Sequence, residues 1–234
     1  MVTKCQMEPA ASVRLQSRRM KTIIQDIYSG RLNEPEAKER IAIMGNTVVA
    51  LKEWAVAVQA LTLGKQIVVM RKGGIREETR DFQVESDSFY LYPTYEHQKA
   101  ELVKPEFVSL LADTRKDWNP GDTETVIRAY ARLEEDLLVD SQEQLDKLRD
   151  CHIWTDRFAE ERLRWKRTKP LHVMLLRVYE LERPVRVPIL SEYVGCKSWI
   201  GLPGELEAVP RKPVLGDEAF RAEADRVRSF LGIC

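Results

Sequence analysis

The chain reads as an α+β domain in which a mixed β-sheet is covered by helices and preceded by a helical hairpin. Three observations predict this. Leu171 to Tyr179 is apolar on both alternating sides, Val173 and Leu175 opposite Met174 and Leu176, as a central strand covered on two faces requires. Helical spacing of apolar residues occurs at both ends of the main domain, in Leu51, Trp54, Ala55, Val58 and Leu61 and again in Phe220, Ala224, Val227 and Leu231. Between them, strand-like runs follow one another through short links rich in turn residues.

Taken in order, Ser12 caps an expected helix through Val13, Met20, Ile23, Ile24 and Ile27 that stops at Gly30. Asn33 with Glu36 then starts a second helix, with Pro35 in its first turn, running to Gly45. These form an expected hairpin over residues 1–45, an appendage whose narrow apolar stripe either packs on the main domain or pairs with a partner protein, ahead of a main domain over 46–234. Thr47 to Leu63 is expected to be one helix closed by Gly64.

Lys65 to Met70 reads as a buried strand and Phe82 to Tyr92 as one or two more. His97 to Ala112 reads as helix with a break at Pro105, and 117–122 as a loop. Alternation in 126–133 favours a strand, Ser141 to Leu148 and Thr155 to Trp165 favour helices, and Pro184 and Pro188 confine Val185 to Ile189 to an edge or a bulge. Gly201 to Gly216 is expected to be a surface connection before a final helix over Asp217 to Leu231.

With 234 residues, 44% apolar and 32% charged, the chain belongs among globular domains rather than disordered ones. Its 37 basic residues balance 37 acidic ones, so any attraction to nucleic acid must come from a local patch. Four scattered cysteines, with no C-x-x-C pair, exclude a zinc finger and a disulfide scaffold and suit a reducing, cytoplasmic setting. No apolar run approaches the roughly 18 residues a membrane helix needs, so no membrane partner is expected. The sequence names no cofactor.

Six segments together resemble an uncharacterised family, catalogued as domain of unknown function 1802. They are LKEWAVAVQAL, IVVMRKGGI, YPTYEHQ, CHIWT, PLHVMLLRVYEL and GCKSW, spanning Ala50 to Leu202. The resemblance implies that these segments share one domain. It assigns no activity, and residues 1–45 lie outside it.

Four groups of residues can carry chemistry, each with a plainer reading beside it. Arg71, Lys72 and Arg76 flank Gly73-Gly74, where backbone N–H groups and cations can hold a phosphate, although a Gly-Gly hairpin with solvated charges explains the same letters. Tyr95, Glu96, His97 and Gln98 place an acid and a titrating imidazole together, and His97 and His152 can each act as a general base or serve as a surface or capping residue. His172, inside the strand run, reads as a satisfied core histidine. Trp154, Arg162, Arg164, Trp165 and Lys166 combine phosphate-neutralising cations with rings that stack on bases, or form a solvated helix face with ion pairs. Cys196 and Trp199 flank Lys197 and Ser198, so Cys196 is either an activated thiol or a buried structural one.

No histidine pair has metal-ligand spacing, so no metal is expected. Glu101 and Lys104 stand one residue too far apart for the acid-x-Lys pair of a metal-dependent nuclease. Two functional expectations follow. One is a nucleic-acid-binding or interaction module using the basic and aromatic groups. The alternative is a hydrolase or group-transfer enzyme with a pocket of His97, Glu96, Arg76, His152 and Cys196.

Overall fold

In a computed structural model the described residues are 25, 28–31, 33, 47–72, 82–165, 169–195 and 197–233. The hairpin expected over residues 1–45 therefore lies outside the described part of the structure, apart from isolated positions. Among the described residues there are seven strands: β1 (Thr47–Trp54), β2 (Val68–Arg71), β3 (Ser88–Thr94), β4 (Glu124–Val139), β5 (Leu171–Pro188), β6 (Trp199–Pro203) and β7 (Arg211–Pro213). Five α-helices accompany them: α1 (Ala55–Thr62), α2 (Val108–Arg115), α3 (Gln142–Lys147), α4 (Asp156–Arg164) and α5 (Asp217–Leu231). The strands form one sheet in the order β2-β5-β4-β3-β1-β6, with β7 also paired to β5. Only the β1–β3 pair is parallel, so the sheet is mixed and the α+β architecture is confirmed.

The segment expected to be a single helix over 47–63 is half strand. Val48 and Ala50 are buried on one face of β1 while Val49 and Leu51 are buried on the other, so the run lacks the polar alternation that marks a half-covered strand. The β-branched Thr47, Val48 and Val49 favour the pleated conformation, and the alanine-rich stretch after Trp54 favours the helix. α1 buries six of its eight residues, and its Val56 N–H, an orphan donor of the first turn, donates to Gln98 Oε1 at 3.0 Å.

Other boundaries move for definable reasons. β3 begins at Ser88 rather than Phe82, although Phe82 is buried in the core. The sequence around Pro105 makes two 3₁₀ turns before α2 instead of a broken helix. β4 and β5 are far longer than the alternating segments alone indicate, and Val185 to Pro188 is the end of β5 itself. Pro184 falls in a break of the β4–β5 register, where Ile127 pairs with Val185 but Ala129 pairs with Glu180, so its missing N–H costs no ladder bond. The expected surface connection over 201–216 instead holds most of β6, a 3₁₀ turn and β7, with Leu202, Leu206 and Val209 buried.

The sheet curls around one set of side chains. Val49 and Leu51 from β1, Val69 from β2, Phe89 and Leu91 from β3, and Met174, Leu176 and Val178 from β5 share an inner core with Phe82 and Trp199. The alternate residues face outward, some beneath α1, α2, α4 and α5 and the rest against the 190–209 segment. Trp199 stacks on Phe82 with centroids 6.0 Å apart, and Arg71 at the end of β2 donates to Ser198 Oγ beside β6 at 2.5 Å. The two outer strands of the sheet are thus brought together at one end, and a cleft opens there.

Candidate nucleic-acid interface

The cleft has a volume of about 480 Å³ and is lined chiefly by five segments of the chain. β1 contributes Lys52, Glu53 and Trp54, β2 contributes Arg71 with the adjoining Lys72, and the end of β3 contributes Thr94, followed by Glu96 and His97. α4 adds Phe158, Glu161 and Arg162 with Trp165 just beyond, and the 195–198 segment adds Gly195, Lys197 and Ser198. This size falls in the range of small-ligand sites.

The buried members of the lining make the floor. Leu102 and Phe158 are almost inaccessible, and Trp54 lies at 5.6 Å from the Phe158 ring. Trp154 packs behind, stacked on Phe158 at 4.2 Å and edge-on to Trp54 at 5.3 Å, and this packing fixes the planes of both rings. Glu53, only 6% exposed, also reaches the floor. Its Oε1 accepts the Trp54 N–H at 2.8 Å, and Oε2 accepts from Arg71 Nη1 at 3.4 Å.

Most of the cations here are already committed. Lys52 Nζ donates to the carbonyls of Tyr193 at 2.5 Å and Gly195 at 2.8 Å, tying β1 to the 195–198 segment. Lys72 Nζ donates to the Leu163 carbonyl at the end of α4, and burial pushes its pKa below the usual lysine range. Arg71 bonds the Lys52 carbonyl, Glu53 and Ser198, while its Nε–H is buried with no partner among the described residues. That donor is one an anion or a water can take.

Arg162 and Lys197 differ from these. The Arg162 guanidinium lies over the Phe158 ring at 5.0 Å and makes no hydrogen bond or ion pair among the described residues. Burial pushes its pKa down, the nearby Arg71 charge adds to that, and Glu53 partly offsets both. A desolvated cation beside a second cation is stabilised by an anionic ligand. Lys197, exposed on the rim, likewise has no partner among the described residues.

Of the residues singled out from sequence, Arg71, Lys72, Glu96, His97, Arg162 and Trp165 line this one cleft. His97 adopts the left-handed region at φ +64°, the one non-glycine residue among those described to do so, and such backbone strain clusters at functional positions. Arg76, Lys166 and Cys196 lie outside the described residues.

The remaining candidates sit elsewhere. His152 is buried, its Nδ1 accepts the Trp154 N–H at 3.2 Å, and burial beside Lys104 lowers its pKa to about 4. Trp154 is core, and Trp199 is nearly so, its Nε1–H donating to the Gln83 carbonyl at 2.8 Å. Gln98 caps α1, Tyr95 stacks on Trp118 at 5.2 Å, and Arg164 pairs with Glu160 at 3.1 Å. His172 is half-buried, with Nδ1 2.8 Å from Asp136 Oδ2.

Sequence reasoning missed Lys52, Glu53, Trp54, Leu102 and Phe158 as site residues, and named Lys197 only as the neighbour of Cys196. The first three were hidden by drawing β1 as a helix, and a charged pair ending an apolar run just before a tryptophan was the available signal.

A curled mixed sheet with a basic, aromatic-floored cleft at one end defines the class: an α+β domain with an open cleft. The chain belongs to the family described as Domain of unknown function (DUF1802), whose model matches residues 50–226. No curated protein matches it. Among solved structures it is similar to ASCH from Zymomonas mobilis, at 14% identity and a TM-score of 0.35 over 77% of this chain and 93% of that one. It is also similar to a serine-to-alanine mutant of the same protein, at 14% identity and a TM-score of 0.38 over 69% of this chain and 96% of that one. At these scores the likeness carries no argument about activity. Among the described residues no helix is long and apolar enough to cross a membrane, and no group of three His, Cys, Asp or Glu side chains is placed to hold a metal.

Proposed function

We propose that the protein binds single-stranded nucleic acid, seating a base on the aromatic floor of the cleft and its phosphates against Arg162 and Lys197. The observation that carries this reading is Arg162: a guanidinium laid over the Phe158 ring, near Arg71 and Glu53, with no hydrogen-bond acceptor or ion pair of its own among the described residues. Phosphate is the ligand chemistry that neutralises such a group, and every base has a face that stacks on Trp54 or Trp165, the ring of Phe158 being covered by Trp154 and Arg162. The cleft's volume of about 480 Å³ suits one unstacked nucleotide.

Filter binding of short single-stranded RNA and DNA across a series of about 50 to 200 mM salt tests this reading. Affinity should fall with a log–log slope of about −0.7 per phosphate contacted. Trp165→Ala should weaken binding by about 1 to 3 kcal/mol, the usual worth of one stacked base. Affinity that is absent, or flat with ionic strength, removes the proposal.

A second reading is hydrolysis or group transfer on the same ligand, favoured by the strained His97 next to Glu96 on the rim. In that reading His97 moves a proton at the scissile bond. Incubation with labelled oligonucleotide decides it. Intact substrate after prolonged contact, or identical cleavage by His97→Ala, eliminates catalysis by this residue.

A further inference from the structure

Resting on the nucleic-acid reading, we propose that Glu53 reads the edge of the base on the cleft floor, selecting cytosine and adenine, which carry an exocyclic amino group, over uracil. Glu53 is buried yet still lines the cleft. A carboxylate offers about four lone-pair sites. Two are engaged, by the Trp54 N–H and by a long contact from Arg71.

The other buried polar side chains of the lining are already engaged. Lys52 and Lys72 are donors spent on backbone carbonyls, and the Ser198 hydroxyl accepts from Arg71. Glu53 is therefore the buried carboxylate of the lining, whereas Glu96 and Glu161 stand exposed at its edge. Around it, Trp54, Phe158 and Leu102 supply a flat apolar surround. Together they fit a planar ring whose leading edge donates hydrogen bonds.

The N4 amino of cytosine and the N6 amino of adenine are such donors, and an acidic side chain accepting from cytosine N4 is a standard pairing. Uracil presents O4 at the matching position. Its single ring N–H lies between two carbonyl oxygens that would meet the same carboxylate. Discrimination at one such contact is typically about 1 to 3 kcal/mol, or roughly five- to 150-fold.

Affinities of the full-length chain for short homo-oligonucleotides of cytosine, adenine and uracil, measured at one salt concentration, are the test. The expected result is at least about fivefold tighter binding of the cytosine and adenine oligomers than of the uracil oligomer. Glu53→Gln, which adds an amide donor and removes the charge, should collapse that ratio towards one. If Glu53 is only the counter-ion of Arg71 and Arg162, Glu53→Gln raises affinity for all three alike, the ratio persists and the inference is overturned.

A cytosine oligomer carrying N4,N4-dimethylcytosine removes the donors without touching the protein, so the question stays answerable even if Glu53→Gln fails to fold. Loss of affinity on dimethylation supports the assignment, and unchanged affinity sinks it. Equal wild-type affinity for all three oligomers overturns base reading while leaving the cleft as a nucleic-acid site. Failure of all three to bind refutes the cleft reading first and this inference with it.

Discussion

Arg71 and Arg162 carry the same guanidinium and line the same cleft, yet the structure employs them in opposite ways. Arg71 closes the end of the curled sheet, bridging β2 to β1 through the Lys52 carbonyl and Glu53, and to the start of β6 through Ser198. Arg162 rides on the face of Phe158 with nothing accepting its N–H groups among the described residues. Lys72 and Lys197 repeat the contrast, one bonded to the carbonyl at the end of α4 and the other exposed on the rim. A cation counted in a sequence is not yet a cation available to a ligand. The scaffold has first claim on those that can reach a carbonyl.

The contrast breaks most visibly if the scaffold set is removed. Arg71→Ala leaves the Glu53 carboxylate buried without its cation and should cost about 3 kcal/mol or more of stability, read by urea unfolding. A destabilisation below about 0.5 kcal/mol would place Arg71 with the ligand-facing set instead.

His152 tests the same buried layer through pH. Its folded pKa of about 4 lies below the ordinary value near 6.5 because burial disfavours the charged ring. Between those two values the unfolded chain takes up a proton that the folded chain refuses. Stability contributed by the neutral ring is therefore complete above about pH 6.5 and is lost as the pH falls through the range towards 4, by about 3 kcal/mol in all. Unfolding of wild type and His152→Asn at pH 7 and near pH 4.5 checks this, and parallel losses in the two proteins would contradict it.

Smaller and opposite in kind is the effect expected at Arg162. Arg162→Ala should leave stability within about 1 kcal/mol but weaken binding of single-stranded nucleic acid about tenfold, the worth of one charge-assisted contact. Smallest is Lys197→Ala, which should reduce affinity equally for every base and make the salt slope shallower by about one phosphate's share. A Lys197 effect that depends on base identity would mean that the rim reads sequence, not charge alone.

How much of this was legible beforehand depended on how many faces of an element are covered. β5 declared itself because Leu171 to Tyr179 is apolar on both sides and too short between turn residues to pass for a helix. β1 is equally covered on both sides, but it runs without a break into α1, which is itself buried almost all round, so the spacing of Leu51, Trp54, Ala55, Val58 and Leu61 let one helix be drawn straight through the junction. That error concealed Glu53. The aromatic and basic residues of α4 were visible from composition alone, whereas which of its tryptophans is core and which is rim depended on Trp154 lying before the helix and Trp165 after it. Capping was half legible. Thr155 caps α4 through the Phe158 N–H as its position implies, but Gln98 reaches α1 from 42 residues away, which no local pattern encodes.

The parallel pairing of β1 with β3 carries one more implication. Trp54 and Thr94 are register partners at the finish of their strands, so the polypeptide leaves both at the same edge and two separate connections depart from neighbouring points. The exit of β3, into the 95–99 segment, can be rewritten without disturbing the ladder beneath it, whereas β1 passes straight into the buried α1. Descendants of this fold could thus change what the cleft meets by editing one doorway, while the masonry stays where it is.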